Sequence, residues 1–246
     1  MASRSSASDL GERVTALESR VPPPRVLVIG CGALARELVE VARRPGFEHL
    51  DVTCLPAKLH NRPALIPAAV QRKIRAARAS YATIFVAYAD CGTGGLLDRV
   101  LETEGVERLA GAHCYEVYAG REAFALLTDD DPATFFLTDF LARHFQALVV
   151  TGLGIDRHPE LLPVYFGNYR RLVYLAQTDD PDLTERARAA ADRLGLDFER
   201  RSTGLGELGA TLTTLAATTA PSATTAQSGP TPPGPQIVPD TYAGAA

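Results

Sequence analysis

The chain has 246 residues, 46% of them hydrophobic, with a formal net charge of −4 and a pI near 5.8. That length can bury one substantial core, and the mild acidity argues against nucleic acid or an acidic membrane surface as partner. No run of about eighteen apolar residues suggests a membrane span. The opening MASRSSASDLGERV lacks the apolar stretch of a secretory signal, so a cytoplasmic protein with reduced cysteines is expected.

Residues 1–24 read as a helical appendage. Leu10, Val14, Leu17 and Val21 share one helix stripe, which either covers the protein's own domain or makes a homodimer contact. Pro22, Pro23 and Pro24 end it. An α/β domain then spans 25–216. Strands are expected at 25–29, 50–55, 83–88 and 106–110, with helices at 33–43, 65–79 and 95–104 between them. Such alternation predicts parallel βαβ units, and apolar runs such as VLVI and TIFVAY suit strands covered on both faces. A mainly helical stretch, 116–145, breaks near Asp129-Asp130-Asp131-Pro132. Strands at 147–151, 171–176 and 197–201 follow, with helices at 159–166, 183–194 and 205–216. The fold class is therefore an open, mainly parallel, Rossmann-like sheet with helices on both faces, a single domain in two pseudo-parts. From 217 to 246 the chain is rich in Pro, Thr, Ser and Gly and reads as a disordered tail.

The four cysteines each fall near the expected carboxyl end of a strand: Cys31 after RVLVIG, Cys54 in LDVTCL, Cys91 after TIFVAYAD and Cys114 after RLAGAH. Ligands of open parallel sheets bind at that edge. Gly30-Cys31-Gly32-Ala33-Leu34-Ala35 matches a dinucleotide fingerprint. The acidic residue expected at the end of the second strand is missing, and Asp51 stands at that strand's beginning, so close packing is the competing reading of the glycines. Asp90-Cys91-Gly92-Thr93-Gly94-Gly95 is a second glycine-rich turn whose N–H groups suit an anion or a thiolate. At a helix start, Cys31 and Cys91 are expected to have lowered pKa values.

Gly111-Ala112-His113-Cys114-Tyr115-Glu116 packs imidazole, thiol, phenol and carboxylate together. Neighbours on a strand point to opposite faces, so only one of His113 and Cys114 is expected to face the site, and Cys114 is the better candidate. Lys58-Leu59-His60-Asn61-Arg62-Pro63 brings cations and an imidazole to the same edge, as a ligand loop or a solvated one. Gly152-Leu153-Gly154-Ile155-Asp156-Arg157-His158 and Tyr165-Phe166-Gly167-Asn168-Tyr169 line a cleft or merely pin turns. In TFFLTDF the apolar bulk is core, and Asp139 is an exposed or capping residue.

Taken as a set, DCGTGG, GAHCYEVYAG, TFFLTDF, GLGIDRHPEL, YFGNYRRLVYLAQ and the closing LGL resemble an uncharacterised domain-of-unknown-function family of archaea and bacteria. The resemblance spans roughly residues 25–210. Its members often lie near corrinoid-dependent methyltransferase genes, an association that carries no mechanism. The zinc-site and corrinoid motifs of those systems are not matched here.

Three functions follow as expectations. The leading one is a metal- or thiolate-dependent protein acting on a small molecule, with a link to methyl-group metabolism. Cys31, Cys91 and Cys114 are its main ligands, and Cys54, His60 or His113 the fourth. A mixed Cys/His set suits zinc, and an all-Cys set an iron–sulfur cluster. Glu116 and Asp90 are the nearest proton-transfer groups. The second is a dinucleotide-binding oxidoreductase holding NAD(P) through Gly30 and Gly32, with Gly92 and Gly94 as further cofactor contacts. The third is a non-catalytic metal-binding or methyltransferase-accessory module with a protein partner.

Overall fold

The computed structural model describes residues 25–220. The appendage expected at 1–24 lies outside the described residues, as does the tail from 221 onward. The protein is a Rossmann-like, mixed α/β domain built on two parallel sheets.

The first sheet has the order β2-β1-β3-β4. Its strands are β1 (Val26–Cys31), β2 (Leu50–Leu55), β3 (Thr83–Ala87) and the two-residue β4 (Glu107–Arg108). Helices α1 (Ala35–Ala42), α2 (Ile66–Ala77) and α3 (Leu96–Glu104) connect them. β1 is buried along its whole length, which explains why it carries no polar alternation. Register pairs Gly30 with Cys54 on one side and with Ala87 on the other, while Cys31 pairs with Leu55. The chain moves from β1 out to β2, then returns past β1 to β3. The switch point of the topology, where ligands of such sheets collect, is the gap between the ends of β1 and β3.

The middle section contains two helices, α4 (Cys114–Ala119) and α5 (Arg121–Asp130). The second sheet follows, β5 (Thr134–Thr138), β6 (Arg171–Ala176) and β7 (Asp197–Ser202), in that order. Two expectations are corrected here. Residues 134–138 form a strand, because TFFLT is β-branched and aromatic and pairs with β6 from Thr134↔Arg171 to Thr138↔Leu175. Residues 147–151 form no strand: α6 (Asp139–Phe145) runs directly into a π-helical turn, Gln146–Thr151. A buried apolar run has no periodicity to separate strand from helix.

Beyond it lie α7 (Leu162–Phe166), α8 (Pro181–Leu194) and α9 (Gly206–Thr219). Helix α8 starts with Asp180 accepting from Asp182 N and Leu183 N, has Pro181 at its first position and stops at left-handed Gly195. Helix α9 is longer than expected. Residues 217–219, assigned to the tail from composition, are its last turn, and Thr219 Oγ1 meets His49 Nε2 at 3.0 Å.

Each sheet has its own core. Helix α9 follows the second sheet in sequence but puts Leu208 and Leu212 into the core of the first.

Candidate functional site

The switch-point end of the first sheet carries the cysteines. All four are free thiols. Cys31 closes β1 and is buried, and its Sγ accepts from Ala33 N at 3.2 Å. Cys91 follows β3 in the left-handed region, φ 52°, the one non-glycine residue with positive φ among the described residues. A side chain is strained there, and such strain gathers at functional positions. Two backbone bonds tie this turn to the loop before α4: Asp90 N to Gly111 O at 3.1 Å and Cys91 N to Ala112 O at 2.7 Å. Arg108 holds that loop from beneath, donating to Leu109 O at 2.6 Å while pairing with Asp98. Cys114, the first residue of α4, is thereby delivered beside Cys91.

Charge on any one of Cys31, Cys91 and Cys114 is felt by others of the three: Cys31 acts on Cys91, and both act on Cys114. Among the described residues no three His, Cys, Asp or Glu side chains form a ready-made ion cage.

The thiols do not have the lowered pKa values expected of helix starts. Burial pushes Cys31 up to about 11, against the opposing Ala33 N–H. It pushes Cys91 up to about 12 and raises Cys114 too, each with a neighbouring cysteine adding to the shift. Desolvation of a charge outweighs the first N–H groups of a short turn. Burial thus favours the neutral thiol at all three positions.

Cys54 stands apart. Its register partner is Gly30, so it occupies the sheet face opposite Cys31. A Cβ on Gly30 would lie 3.4 Å from Cys54 Sγ. Burial raises its pKa to about 11, against the pull of Lys73.

His60 lies on the 3₁₀ turn after β2, with both ring nitrogens 3.8 Å from Cys31 Sγ. Its Nδ1 is 2.9 Å from Ala57 O. That carbonyl fixes the proton on Nδ1 and leaves Nε2 as a lone-pair donor, the arrangement of a metal-ligating histidine. His113 is turned away: its ring packs on Tyr115 (5.4 Å) and Phe124 (5.2 Å), and burial lowers its pKa.

The two carboxylates proposed for proton transfer serve the scaffold. Asp90 accepts from Thr93 Oγ1 (2.6 Å), Gly95 N (2.9 Å) and Gly94 N (3.1 Å). Burial opposes its ionisation, but these donors and Arg108 outweigh it and hold its pKa down. Glu116 accepts from Ala112 N at 2.7 Å and so steadies the residue that holds Cys91. The N–H groups at Gly94 and Gly95 are thus occupied by the chain's own carboxylate.

The fingerprint glycines are spent on packing. A Cβ at Gly30 would sit 2.1 Å from Leu38 Cδ1, and one at Gly32 would sit 2.9 Å from both Ala57 N and Leu55 O. Asp51 is engaged at the opposite end of β2, bonded to Arg25 and to Tyr81 Oη (3.1 Å).

Sequence reasoning passed over Tyr88. It follows β3 and is fully buried, its hydroxyl directed to Cys31. Its electrostatic neighbours are Cys31, Cys91 and Cys54, and its ring stacks on His60 at 6.2 Å. A tyrosine ending an apolar strand gives no signal of this in sequence. Asp139 was also misjudged: it is fully buried, and accepts from Tyr174 Oη (2.7 Å), Gln177 N (3.0 Å) and Thr178 Oγ1 (2.5 Å).

A separate cavity of about 780 Å³ opens at the carboxyl edge of the second sheet, lined in part by Tyr118, Leu126, Arg201, Thr203 and Glu207. Tyr118 is on α4, the helix that begins with Cys114.

Fold and site together define a Rossmann-like protein with three thiols and an imidazole at the switch point of its larger sheet. The chain belongs to the family described as Protein of unknown function (DUF1638), whose model matches residues 54–212, more than half of its length. Cys54, Cys91 and Cys114 lie inside the match, and Cys31 precedes it. No curated protein and no solved structure matches the chain. No described helix is long and apolar enough to cross a membrane.

Proposed function

We propose that this protein is a thiolate-dependent enzyme or carrier that takes one thiophilic metal ion, zinc by preference, at Cys31, Cys91, Cys114 and His60. The observation that carries the reading is the delivery of three thiols from separate crossovers to one switch point, beside an imidazole whose free nitrogen is Nε2. Three sulfurs and one nitrogen suit tetrahedral zinc. An all-sulfur set for an iron–sulfur cluster would need Cys54, which stands on the other face. Zn–S bonds near 2.3 Å would require the sulfurs to come within roughly 4 Å of one another.

Bound zinc would supply Lewis acidity toward a small thiol, water or methyl acceptor. The chain's own part is to release the thiol protons, hold the His60 tautomer through Ala57 O and keep the turn at Cys91 in place through Ala112. The geometry gives no comparable support to a dinucleotide, since backbone of β2 already fills the space against Gly32.

The test is zinc and cobalt(II) titration of the reduced, full-length protein under anaerobic conditions. One equivalent is expected, with affinity lowered more than about 100-fold, beyond the outer-shell range, by Cys31→Ser, Cys91→Ser or Cys114→Ser and unchanged by Cys54→Ser or His113→Ala. A fully reduced protein that takes up neither metal would overturn the reading.

A further inference from the structure

We propose that residues 10–21 of this chain cover the open groove between α5 and α9, lying alongside α9 with Leu10, Val14, Leu17 and Val21 turned toward Leu126 and Ala210. None of the thiols lines that groove, so its cover does not depend on a metal.

The groove of about 780 Å³ is walled by Ala123 and Leu126 of α5 and by Gly206 and Ala210 of α9. Leu127 packs on the second sheet, but Leu126 beside it is 71% exposed. Helix α9 has no charged residue after Glu207, and a helix without a polar face is ordinarily covered on every side. Its inner face is covered by the first core, through Leu208 and Leu212. Its outer face is bare: Ala210, Thr214 and Ala217 are exposed. The hydroxyls of Thr213, Thr214 and Thr218 donate to carbonyls of their own helix at 2.7, 3.1 and 2.9 Å, so this face offers water little. One apolar strip thus runs from the groove along the length of α9.

The place where the chain enters the domain selects the occupant. Val26 packs with Ala216 near the end of α9, so the segment before it sets out from there. Residues 22–24, all proline, span about 9 Å when extended. Residues 10–21 span about 17 Å as a helix, as long as the stretch 207–218 of α9. The stripe therefore reaches back along α9 to the groove. Glu207 accepts from Arg121 N at 3.1 Å and pairs with no described cation. Arg13, next to Val14 in sequence, is the cation this placement brings to it. A tether of this length gives an effective concentration of the order of millimolar, which favours the segment over a free partner.

The test is amide hydrogen exchange of the full chain at two protein concentrations, with sedimentation to give the mass in solution. In the wild type, the amides of 10–21 are expected to exchange about tenfold more slowly than an unstructured chain, at both concentrations and in a monomer. Leu126→Asp, at a side chain mostly in solvent, is expected to erase that protection. Val14→Asp combined with Leu17→Asp is expected to speed exchange in α5 around Leu126 and at the start of α9. A wild type whose residues 10–21 exchange freely would overturn the proposal, and so would protection that survives Leu126→Asp. Protection that appears only in a dimer would give the groove to a second copy and overturn the cover within one chain. If Leu126→Asp fails to fold, the paired substitution decides, because it lies outside the α/β domain. Unchanged exchange in α5 and α9 would then overturn the proposal.

Discussion

At the scale of single residues, burial decides the behaviour of this protein. Cys31 shows it best. Its pKa is raised from 9 to about 11 in the folded chain, so unfolding releases a proton in that window. Its contribution to stability is fully present below pH 9 and is lost as pH rises toward about 11, at about 1.4 kcal/mol per pH unit. Urea unfolding of the protein between pH 7 and 11 should show that decline, and Cys31→Ala should make it shallower, leaving the share of the other raised thiols. Gly32 is governed by space. A Cβ there meets two backbone atoms at 2.9 Å, which cannot rotate aside as a side chain could. Gly32→Ala is expected to cost about 1–3 kcal/mol, read as a lowered urea midpoint with unchanged slope.

Elements were legible in sequence where their ends carried chemistry. Helix α8 announced itself with Asp180-Pro181 and Gly195, and β1 and β3 with apolar runs closed by glycine-rich turns. The region 134–151 was misread because two apolar runs lie close together there, and only strand pairing separates them: β5 has β6 beside it, whereas Gln146–Thr151 continues α6. Asp139 marks the boundary and looked like a simple cap. In fact it joins α6 to the end of β6, through Tyr174, Gln177 and Thr178. Asp139→Ala would strand two buried donors, Tyr174 Oη and Gln177 N, each worth about 1–3 kcal/mol when left unpaired. A loss of at least about 2 kcal/mol is expected, or failure to fold, and Asp139→Asn should recover part of it in a thermal melt. The site divided in the same way. Placing the cysteines at strand ends needed only the βαβ rhythm. The sheet face of Cys54, the aromatic burial of His113 and the burial of Tyr88 against the thiols depend on register and packing, which no local pattern encodes.

Across the whole molecule, the notable fact is that the first sheet is not completed by its own stretch of chain. Helix α9 crosses back from the second sheet, and Leu208 and Leu212 are buried against the first core, near Val117 and Tyr118 of α4. Leu212→Ala should cost about 2–5 kcal/mol. The damage should be felt at the thiol half: alkylation of Cys31 and Cys114 in the native protein should accelerate together. If the two halves were independent, only contacts near α9 would loosen. The same crossing sets an order of events during synthesis. Until residues 206–219 have left the ribosome, the earlier strands can pair but lack their final cover, and a nascent chain at that stage still offers its sulfurs to whatever the surrounding fluid contains.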